Sequence, residues 1–211
     1  MQLYYGADRI VEKPEYNGGK AGNDYGPGFY LTPDKKMARL WACKNRDGGY
    51  LITYDVDIEK LDVLDLRSAT DENMLQWISL LVQHRFSKEE YESNRQSIEW
   101  LKGKYTFPDN ADMIIGYRAD DSYFAYSRDF VANDLSLEAL AQAMRIGKLG
   151  LQYVLKSRKA FTCIRMRKYE KVEHSNEYQI FRNKALQQYR ALKKEDSIDN
   201  TFIRDLMRKE K

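Results

Sequence analysis

Cysteine and histidine are scarce in this sequence, which contains two of each among 211 residues. Cys43 and Cys163 lie far apart and show no metal-ligand spacing, which predicts two reduced cysteines and no disulfide framework. His84 and His174 have no partner residues at the spacing of a metal site. The scarcity of histidine therefore argues against histidine metal sites and against serine–histidine catalytic triads.

Long apolar runs and familiar phosphate-binding motifs are missing as well. No apolar run approaches the ~18 residues that cross a bilayer, and the N-terminus shows no signal-peptide pattern. These absences predict a cytoplasmic protein with no membrane partner. Neither a Walker-type loop nor a Rossmann fingerprint is present. The adjacent acids Asp120 and Asp121 are interpreted as the start of a helix rather than as a catalytic pair.

The chain does contain enough apolar material for a core. Hydrophobic residues make up 43% and aromatic residues 13%, with 16 tyrosines, so the chain is expected to fold. The net charge of +3 is unevenly distributed, because residues 164–211 hold 13 Lys and Arg against 8 Asp and Glu. A basic C-terminal part suits a nucleic acid or an acidic protein partner, and it is also typical of a solvated helix.

Periodicity and turn residues predict an α+β fold. Strands are predicted at residues 3–5, 29–31, 50–56, 152–156 and 161–167, and residues 112–116 are predicted to form a short buried strand or the entry to a turn. Helices are predicted from residue 33, capped by Thr32, and at residues 70–85, 87–100, 122–131 and 136–144, with more helix from about residue 172. Residues 87–90 (SKEE) form a capping box. A thin apolar stripe in the last helical part consists of Ile180, Leu186, Tyr189 and Leu192. Strands and helices do not alternate regularly, which favours the α+β class.

The most informative stretch is residues 23–32 (NDYGPGFYLT), a bend that leads into a short strand. Glycine in the bend lets the backbone come close to a ligand, because glycine has no side chain. Alternation along the strand puts Phe29 and Leu31 on one face and Tyr30 on the other. If the first two are core residues, Tyr30 faces a cleft beside the bend. The alternative interpretation is a surface turn that enters a buried strand.

Three segments, taken in order, resemble the signature of ADP-ribosyltransferases of the diphtheria-toxin and poly(ADP-ribose) polymerase type. They are residues 3–7 (LYYGA), 25–32 (YGPGFYLT) and 151–156 (LQYVLK). The corresponding family pattern is a strand ending in His-Gly, a Gly-x-Gly-aromatic-Tyr strand running into a helix, and a late strand headed by Glu. The layout is most similar to an uncharacterised bacterial family of that clan, over residues 1 to about 170.

The resemblance implies an ADP-ribosyltransferase-like domain over residues 1–172, with split antiparallel sheets around an NAD cleft and flanking helices. A basic helical extension, residues 173–211, follows. Gly6 would offer its backbone groups to the nicotinamide carboxamide, Tyr30 would stack on one face of the nicotinamide ring, and Trp41 would cover the other. Core packing is the alternative for Trp41. The remaining implied cofactor-binding residues are Tyr4, Gly28, Phe29 and Ala38, and the implied catalytic residues are Tyr5, Tyr30 and Gln152.

The chain departs from the family pattern at two positions. Tyr5 replaces the histidine that contacts the adenosine ribose, and a phenol can still donate one hydrogen bond there. Gln152 replaces the glutamate that stabilises the positive charge of the transition state. Loss of one such preorganised group costs about 3–4 kcal/mol in other enzymes. The sequence therefore predicts slow single transfer, slow NAD cleavage, or binding without chemistry.

The function that the resemblance implies is NAD-dependent mono-ADP-ribosylation of a macromolecular target, protein or nucleic acid. A toxin of a toxin–antitoxin or phage-defence pair is one setting, in which an inhibitor (antitoxin) protein would be a partner. The first alternative is a catalytically weak or inactive relative that binds NAD as a sensor. The second is an interaction module that binds nucleic acid or protein through the basic C-terminal extension.

Overall fold

The computed structural model describes residues 1–68, 70–107, 110–119, 121–145 and 150–209. The protein has the predicted α+β class, with two small sheets and flanking helices. The strands are β1 Gln2–Ala7, β2 Phe29–Leu31, β3 Gly49–Val56, β4 Val63–Asp65, β5 Met113–Tyr117, β6 Leu151–Leu155 and β7 Ile164–Val172. The helices are α1 Lys35–Cys43, α2 Asp71–Arg85, α3 Lys88–Ser93, α4 Arg95–Lys104, α5 Asp121–Val131, α6 Leu137–Arg145, α7 Arg158–Thr162, α8 Glu177–Glu195 and α9 Ile203–Arg208.

The chain packs as two compact units. The first comprises Met1–Asp65, Asp109–Gly116 and Gly150–Asn183 and contains both sheets. The second comprises Leu66–Pro108, Tyr117–Leu149 and Lys184–Lys211, and its described residues are mainly helical. The residues from 184 onward thus belong to a packed unit, in which Ala185, Leu192 and Ile203 are buried. The predicted division of the chain into a domain, residues 1–172, and a basic extension, residues 173–211, stays a prediction.

The first sheet is antiparallel with strand order β1-β3-β7. The second has order β2-β6-β5-β4, and it pairs β2 with β6 antiparallel but β4 with β5 parallel. The prediction of antiparallel sheets is therefore wrong for the second sheet. Parallel neighbours need a long crossover, and the segment between β4 and β5 supplies one. Strand β4 has three residues and no buried side chain, so its sequence carries no strand pattern.

Two apolar clusters cover opposite faces of the first sheet. One contains Leu3, Ile52 and Tyr54 together with Leu31 of β2 and Tyr153 and Leu155 of β6. The other contains Leu51 and Val172 with Ala38, Ala42 and Cys43 of α1. Helix α1 therefore packs on the face of β1 and β3 that is turned away from the larger cluster.

The start of α1 differs from the prediction. Asp34, not Thr32, is the N-cap, and its carboxylate accepts a hydrogen bond from the Lys36 N–H at 2.8 Å. Thr32 still belongs to strand pairing, because its N–H and C=O both bond to Tyr4. The carbonyl of an N-cap residue accepts the first bond of the helix, and here the Asp34 carbonyl accepts it from Ala38 while the Thr32 carbonyl accepts from Tyr4. The cap therefore lies two positions further along the chain.

Several predicted elements are confirmed. Helix α2 occupies the predicted segment, with Thr70 as its N-cap. The capping box at residues 87–90 is present, although the helix it opens ends at Ser93 and a second helix begins at Arg95. Ser136 caps α6 by accepting a hydrogen bond from the Ala139 N–H at 3.0 Å. Of the predicted acidic helix start, Asp120 lies outside the described residues.

The predicted strand at residues 161–167 is wrong in its first half. Phe161 belongs to α7, because Ser157 caps that helix by accepting a bond from the Ala160 N–H at 3.1 Å. The strand begins only at Ile164 and runs to Val172. Of the predicted apolar stripe in the last helical part, Leu192 is buried but Ile180 is 66% exposed.

Candidate functional site

The three segments that carry the sequence resemblance lie side by side in the first unit. Tyr4 of β1 and Thr32 exchange two backbone hydrogen bonds, at 2.8 and 2.9 Å. Strand β2 pairs with β6 through Tyr30 opposite Val154 and Leu31 opposite Tyr153. One further step in this register would set Thr32 opposite Gln152. Because directly paired residues share a face of a sheet, Tyr4 and Thr32 lie on one face, and this register would add Gln152 to the same face.

Beyond the Tyr4–Thr32 bridge, β1 and β2 part. Backbone groups of alternate residues in an antiparallel strand point to the same side. The N–H and C=O of Gly6 therefore point toward the β2 side, as those of Tyr4 do. Continuing the register would set Gly6 opposite Tyr30, but β1 and β2 form no ladder there in the described chain. We call this opening, with Gly6 on one side and Tyr30 on the other, the β1–β2 split.

Gly6 also has a packing role. A Cβ atom at this position would lie 1.9 Å from the Ala38 carbonyl oxygen, 2.8 Å from the Ala42 nitrogen and 2.9 Å from the Trp41 Cβ. Only glycine lets α1 approach β1 this closely. Ala38 is fully buried at that contact, and Trp41 is half-buried beside it. The predicted contacts of Ala38 and Trp41 with a dinucleotide stay predictions.

The bend before β2 is held by its own chain. The Tyr30 hydroxyl donates to the Gly26 carbonyl oxygen at 2.6 Å and accepts from the Tyr25 N–H at 3.0 Å. Gly26 has φ +70°, a backbone conformation that favours glycine. A Cβ at Gly28 would lie 2.7 Å from Val154 Cγ1 and 2.8 Å from the Leu155 carbonyl oxygen. Glycine at position 28 is thus explained by the close approach of β6 to the bend.

Lys156 is a residue of the site that the sequence analysis missed. Its Nζ donates to the Pro27 carbonyl oxygen at 2.7 Å and also to the Tyr25 carbonyl oxygen. The lysine follows directly after β6 and reaches a bend that lies far earlier in the chain. No spacing pattern in the sequence links the two segments, so a local pattern could not have found this contact.

Gln152 has an unsatisfied polar atom. The side chain is 7% exposed, and its Oε1 is buried without a hydrogen-bond donor among the described residues. An acceptor in that situation costs about 1–3 kcal/mol relative to one that is hydrogen-bonded. A ligand with a hydroxyl or amide donor would remove this cost, so Gln152 is suited to accept a hydrogen bond from a bound molecule.

Tyr5 and Phe29 lie on the other face of the strands. Their ring centroids are 4.7 Å apart, and Phe29 makes an edge contact with Tyr54 at 5.5 Å. Burial raises the pKa of the Tyr5 hydroxyl above its usual value, and the nearby charge of Asp8 adds to this effect. Both rings pack against the larger apolar cluster. The strands that carry Tyr4, Gly6, Tyr30 and Gln152 are therefore neighbours, whereas the rings of Tyr5 and Phe29 pack on the apolar cluster. The predicted contacts of all six residues with NAD stay predictions.

Asp112 anchors the end of β6, the strand that carries Gln152 and directly precedes Lys156. Its carboxylate accepts hydrogen bonds from Lys159 Nζ at 2.7 Å, from the Ser157 hydroxyl and from the Asp62 N–H at 3.0 Å. These bonds, that of Lys159 first, lower the pKa of the Asp112 carboxyl to about 2. The Asp112 carbonyl oxygen also accepts from the Lys156 N–H at 2.8 Å. The end of β6 is therefore fixed by a buried carboxylate.

Other candidate chemistry is limited within the described ranges. They contain no group of three His, Cys, Asp or Glu side chains arranged to hold a metal ion. They also contain no helix long and apolar enough to cross a membrane. The second unit has an open pocket of about 450 Å³, and none of the predicted site residues lines it. Its lining residues are Val82, Gln83, Phe86, Ser87, Lys88, Tyr91 and Lys102.

The comparison with protein families is decisive for classification. The family model described as "Protein of unknown function (DUF3990)" matches residues 1–166. The chain belongs to this family. The DUF3990 match includes every residue of the β1–β2 split together with Gln152 and Lys156, and it ends within β7. No curated protein and no solved structure matches the chain.

Proposed function

We propose that this protein is an NAD-dependent mono-ADP-ribosyltransferase that acts on a macromolecule, either a protein or a nucleic acid. The observation that carries the proposal is the β1–β2 split. There the backbone groups of Gly6 point toward the strand of Tyr30, and Gln152 lies on the neighbouring strand. The three segments of the ADP-ribosyltransferase resemblance are thus neighbours in space, although the third follows the other two by a long stretch of chain.

The split suits the recognition of a nicotinamide ring. The N–H and C=O of Gly6 are a donor and an acceptor, which complement the two groups of a primary carboxamide. The rings of Tyr30 and Trp41 offer flat apolar faces on which an aromatic ring can stack. Because its hydroxyl is bonded to Gly26, the Tyr30 ring is oriented before a ligand arrives. Such preorganisation lowers the entropic cost of binding.

The reaction that we infer is a displacement at the anomeric carbon of the nicotinamide-bearing ribose. The bond from this carbon to the nicotinamide nitrogen breaks, and its electron pair leaves with nicotinamide. A nucleophile of the acceptor bonds to the same carbon and loses its proton. The transition state resembles an oxocarbenium ion, as in glycoside cleavage. Gln152 can accept a hydrogen bond from a ribose hydroxyl but brings no full negative charge, so we infer slow transfer of single units.

The biological setting is part of the same proposal. Both cysteines, Cys43 and Cys163, are free, which suits the reducing cytoplasm. An enzyme that modifies an essential macromolecule in the cytoplasm is toxic to its own cell. We therefore infer that the protein acts as the toxin of a toxin–antitoxin or phage-defence pair, with an inhibitor protein as its partner.

The direct test is incubation of the full chain with a cell lysate and NAD labelled in its adenylate half. The expected result is label on a macromolecule and release of nicotinamide. The variant Tyr30→Ala should lower both by about fivefold or more, since it removes about 1 kcal/mol or more of stacking. Tyr169→Ala is the matched control, because Tyr169 is 50% exposed on β7. Wild-type protein that neither transfers label nor releases nicotinamide would rule out the transferase.

A second candidate function is supported by the amide at position 152. Without a carboxylate, the same site could bind NAD as a sensor without turning it over. In that case NAD would raise the unfolding temperature, because a ligand that binds only the folded state stabilises it. Nicotinamide would not be released. A raised unfolding temperature with no product therefore selects the sensor over the transferase.

A further inference from the structure

Three consecutive carbonyl groups of the bend accept hydrogen bonds from side chains. Lys156 Nζ donates to the carbonyl oxygens of Tyr25 and Pro27, the latter at 2.7 Å. The Tyr30 hydroxyl donates to the carbonyl oxygen of Gly26, between them, at 2.6 Å. The position of the Gly26 carbonyl, which orients Tyr30, is thus set by the two carbonyls on either side of it, and Lys156 holds both of these.

The hydrogen bonds that the Lys156 amine donates in the structure go to the bend. In the part of the chain that the structure describes, no carboxylate forms an ion pair with it, and the amine bonds to the two neutral carbonyls. Burial lowers the pKa of Lys156 below its ordinary value. Hydrogen bonds from an ammonium group are stronger than those between neutral groups and offset part of the cost of removing the charge from water. The Asp112 carbonyl oxygen fixes the Lys156 backbone at 2.8 Å.

We propose that Lys156 is a positioning residue of the β1–β2 split, which fixes the bend at residues 25–27 and through it the ring of Tyr30 for a dinucleotide. This inference rests on the proposed NAD-dependent function. Lys156 itself need not touch the ligand. Its contribution is to hold the Gly26 carbonyl where the Tyr30 hydroxyl meets it, so that the ring is already oriented when the ligand binds.

The test compares Lys156→Met, which removes the donors, with Lys156→Arg, which keeps them. Lys20→Met is the matched control, because Lys20 is exposed in the loop that leads to the bend. NAD affinity is measured by calorimetry, and hydrogen exchange is followed at the amides of Tyr25, Gly26 and Gly28. Lys156→Met should weaken NAD binding by about tenfold or more, the equivalent of one charge-assisted hydrogen bond, and should speed exchange in the bend. Lys156→Arg should restore most of the affinity, and Lys20→Met should bind as wild type does.

A double variant separates positioning from general stability. If Lys156 acts through Tyr30, adding Tyr30→Phe to Lys156→Met should cost little further affinity, because Lys156→Met already releases the bend to which the Tyr30 hydroxyl bonds. If Lys156→Met does not fold, Lys156→Gln takes its place, since a shorter donor cannot reach both carbonyls. If the folded Lys156→Met or Lys156→Gln variant binds NAD with wild-type affinity, the positioning role of Lys156 is overturned. It is also overturned if the losses of NAD affinity from Lys156→Met and Tyr30→Phe are fully additive in the double variant. A wild-type chain that binds no NAD overturns the proposed function itself, and this inference with it.

Discussion

Tyr4 and Thr32 exchange both of their backbone hydrogen bonds, and the two strands part directly after this pair. Continuing the register of this pair would set Gly6 across from Tyr30. The pair also brings β1 next to β2, whose other neighbour is the strand of Gln152. A two-residue backbone contact thus determines which side chains and backbone groups surround the split.

Gly6→Ala should destabilise the protein, because the new methyl group would lie 1.9 Å from the Ala38 carbonyl oxygen. Overpacking of this kind costs about 1–3 kcal/mol. The free energy of unfolding, measured in urea, checks this. Gly103→Ala in α4 is the matched control: its methyl group would meet no atom within 4 Å, and it should stabilise by up to about 1 kcal/mol. An unchanged free energy of unfolding in Gly6→Ala would contradict the packing of α1 on β1.

The sequence predicts those parts of the fold that local patterns specify. The capping box at residues 87–90 and the cap at Ser136 depend on side chains three residues apart, so their chemistry can be recognised from spacing alone. The resemblance identified β1, β2 and β6, and the structure sets these strands side by side. Whether they bind NAD stays a prediction.

What the sequence does not predict depends on contacts between distant residues. The contact of Lys156 with the bend and the bonds around Asp112 join segments that are far apart in the chain, so no spacing reveals them. The cap of α1 moved from Thr32 to Asp34 because Thr32 pairs with Tyr4, which the local pattern of a Thr-Pro helix start does not show. The strand prediction at Phe161 is wrong because Ser157 caps a short helix there.

Asp112→Asn should destabilise the first unit at neutral pH. Bonds to the ionised carboxylate from Lys159 and Ser157 are weakened or lost, and hydrogen bonds to charged groups contribute about 1.5–3 kcal/mol. Because the folded state lowers the Asp112 pKa to about 2, the ionised carboxylate stabilises the fold above the pKa of the unfolded chain. This stabilisation is lost as the pH falls toward 2.

The free energy of unfolding of Asp112→Asn and wild type is therefore compared from pH 7 down to the lowest pH at which both fold. The difference between them should be largest near neutral pH and should shrink as the pH falls below about 5, where the unfolded carboxyl begins to bind protons. Asp199→Asn is the control, because Asp199 is exposed. A difference that stays constant with pH would show that the charge of Asp112 is not what stabilises the fold.

Ser136→Ala should destabilise the second unit by about 1–2 kcal/mol, the usual effect of losing a helix cap. The Ser136 hydroxyl accepts from the Ala139 N–H and donates to Asp196 Oδ1 at 2.6 Å, which links the start of α6 to the segment after α8. Chemical denaturation followed by circular dichroism measures the change. Ser93→Ala, at an exposed position of α3, should change stability little. Equal stabilities of the two variants would contradict the capping role.

Gln152→Glu should raise the rate of NAD cleavage if the β1–β2 split binds NAD as proposed. A carboxylate would supply the negative charge that the amide lacks, and a group of this kind is worth about 3–4 kcal/mol in other enzymes, a hundredfold or more in rate. Because position 152 is only 7% exposed in the free protein, the new carboxylate should also lower the unfolding temperature when no ligand is present. Nicotinamide release and thermal unfolding are measured on the same preparation. Gln187→Glu, on an exposed position of α8, adds the same charge and should change neither. A Gln152→Glu variant that folds, binds NAD and cleaves it no faster than wild type would contradict a role of residue 152 in stabilising the transition state.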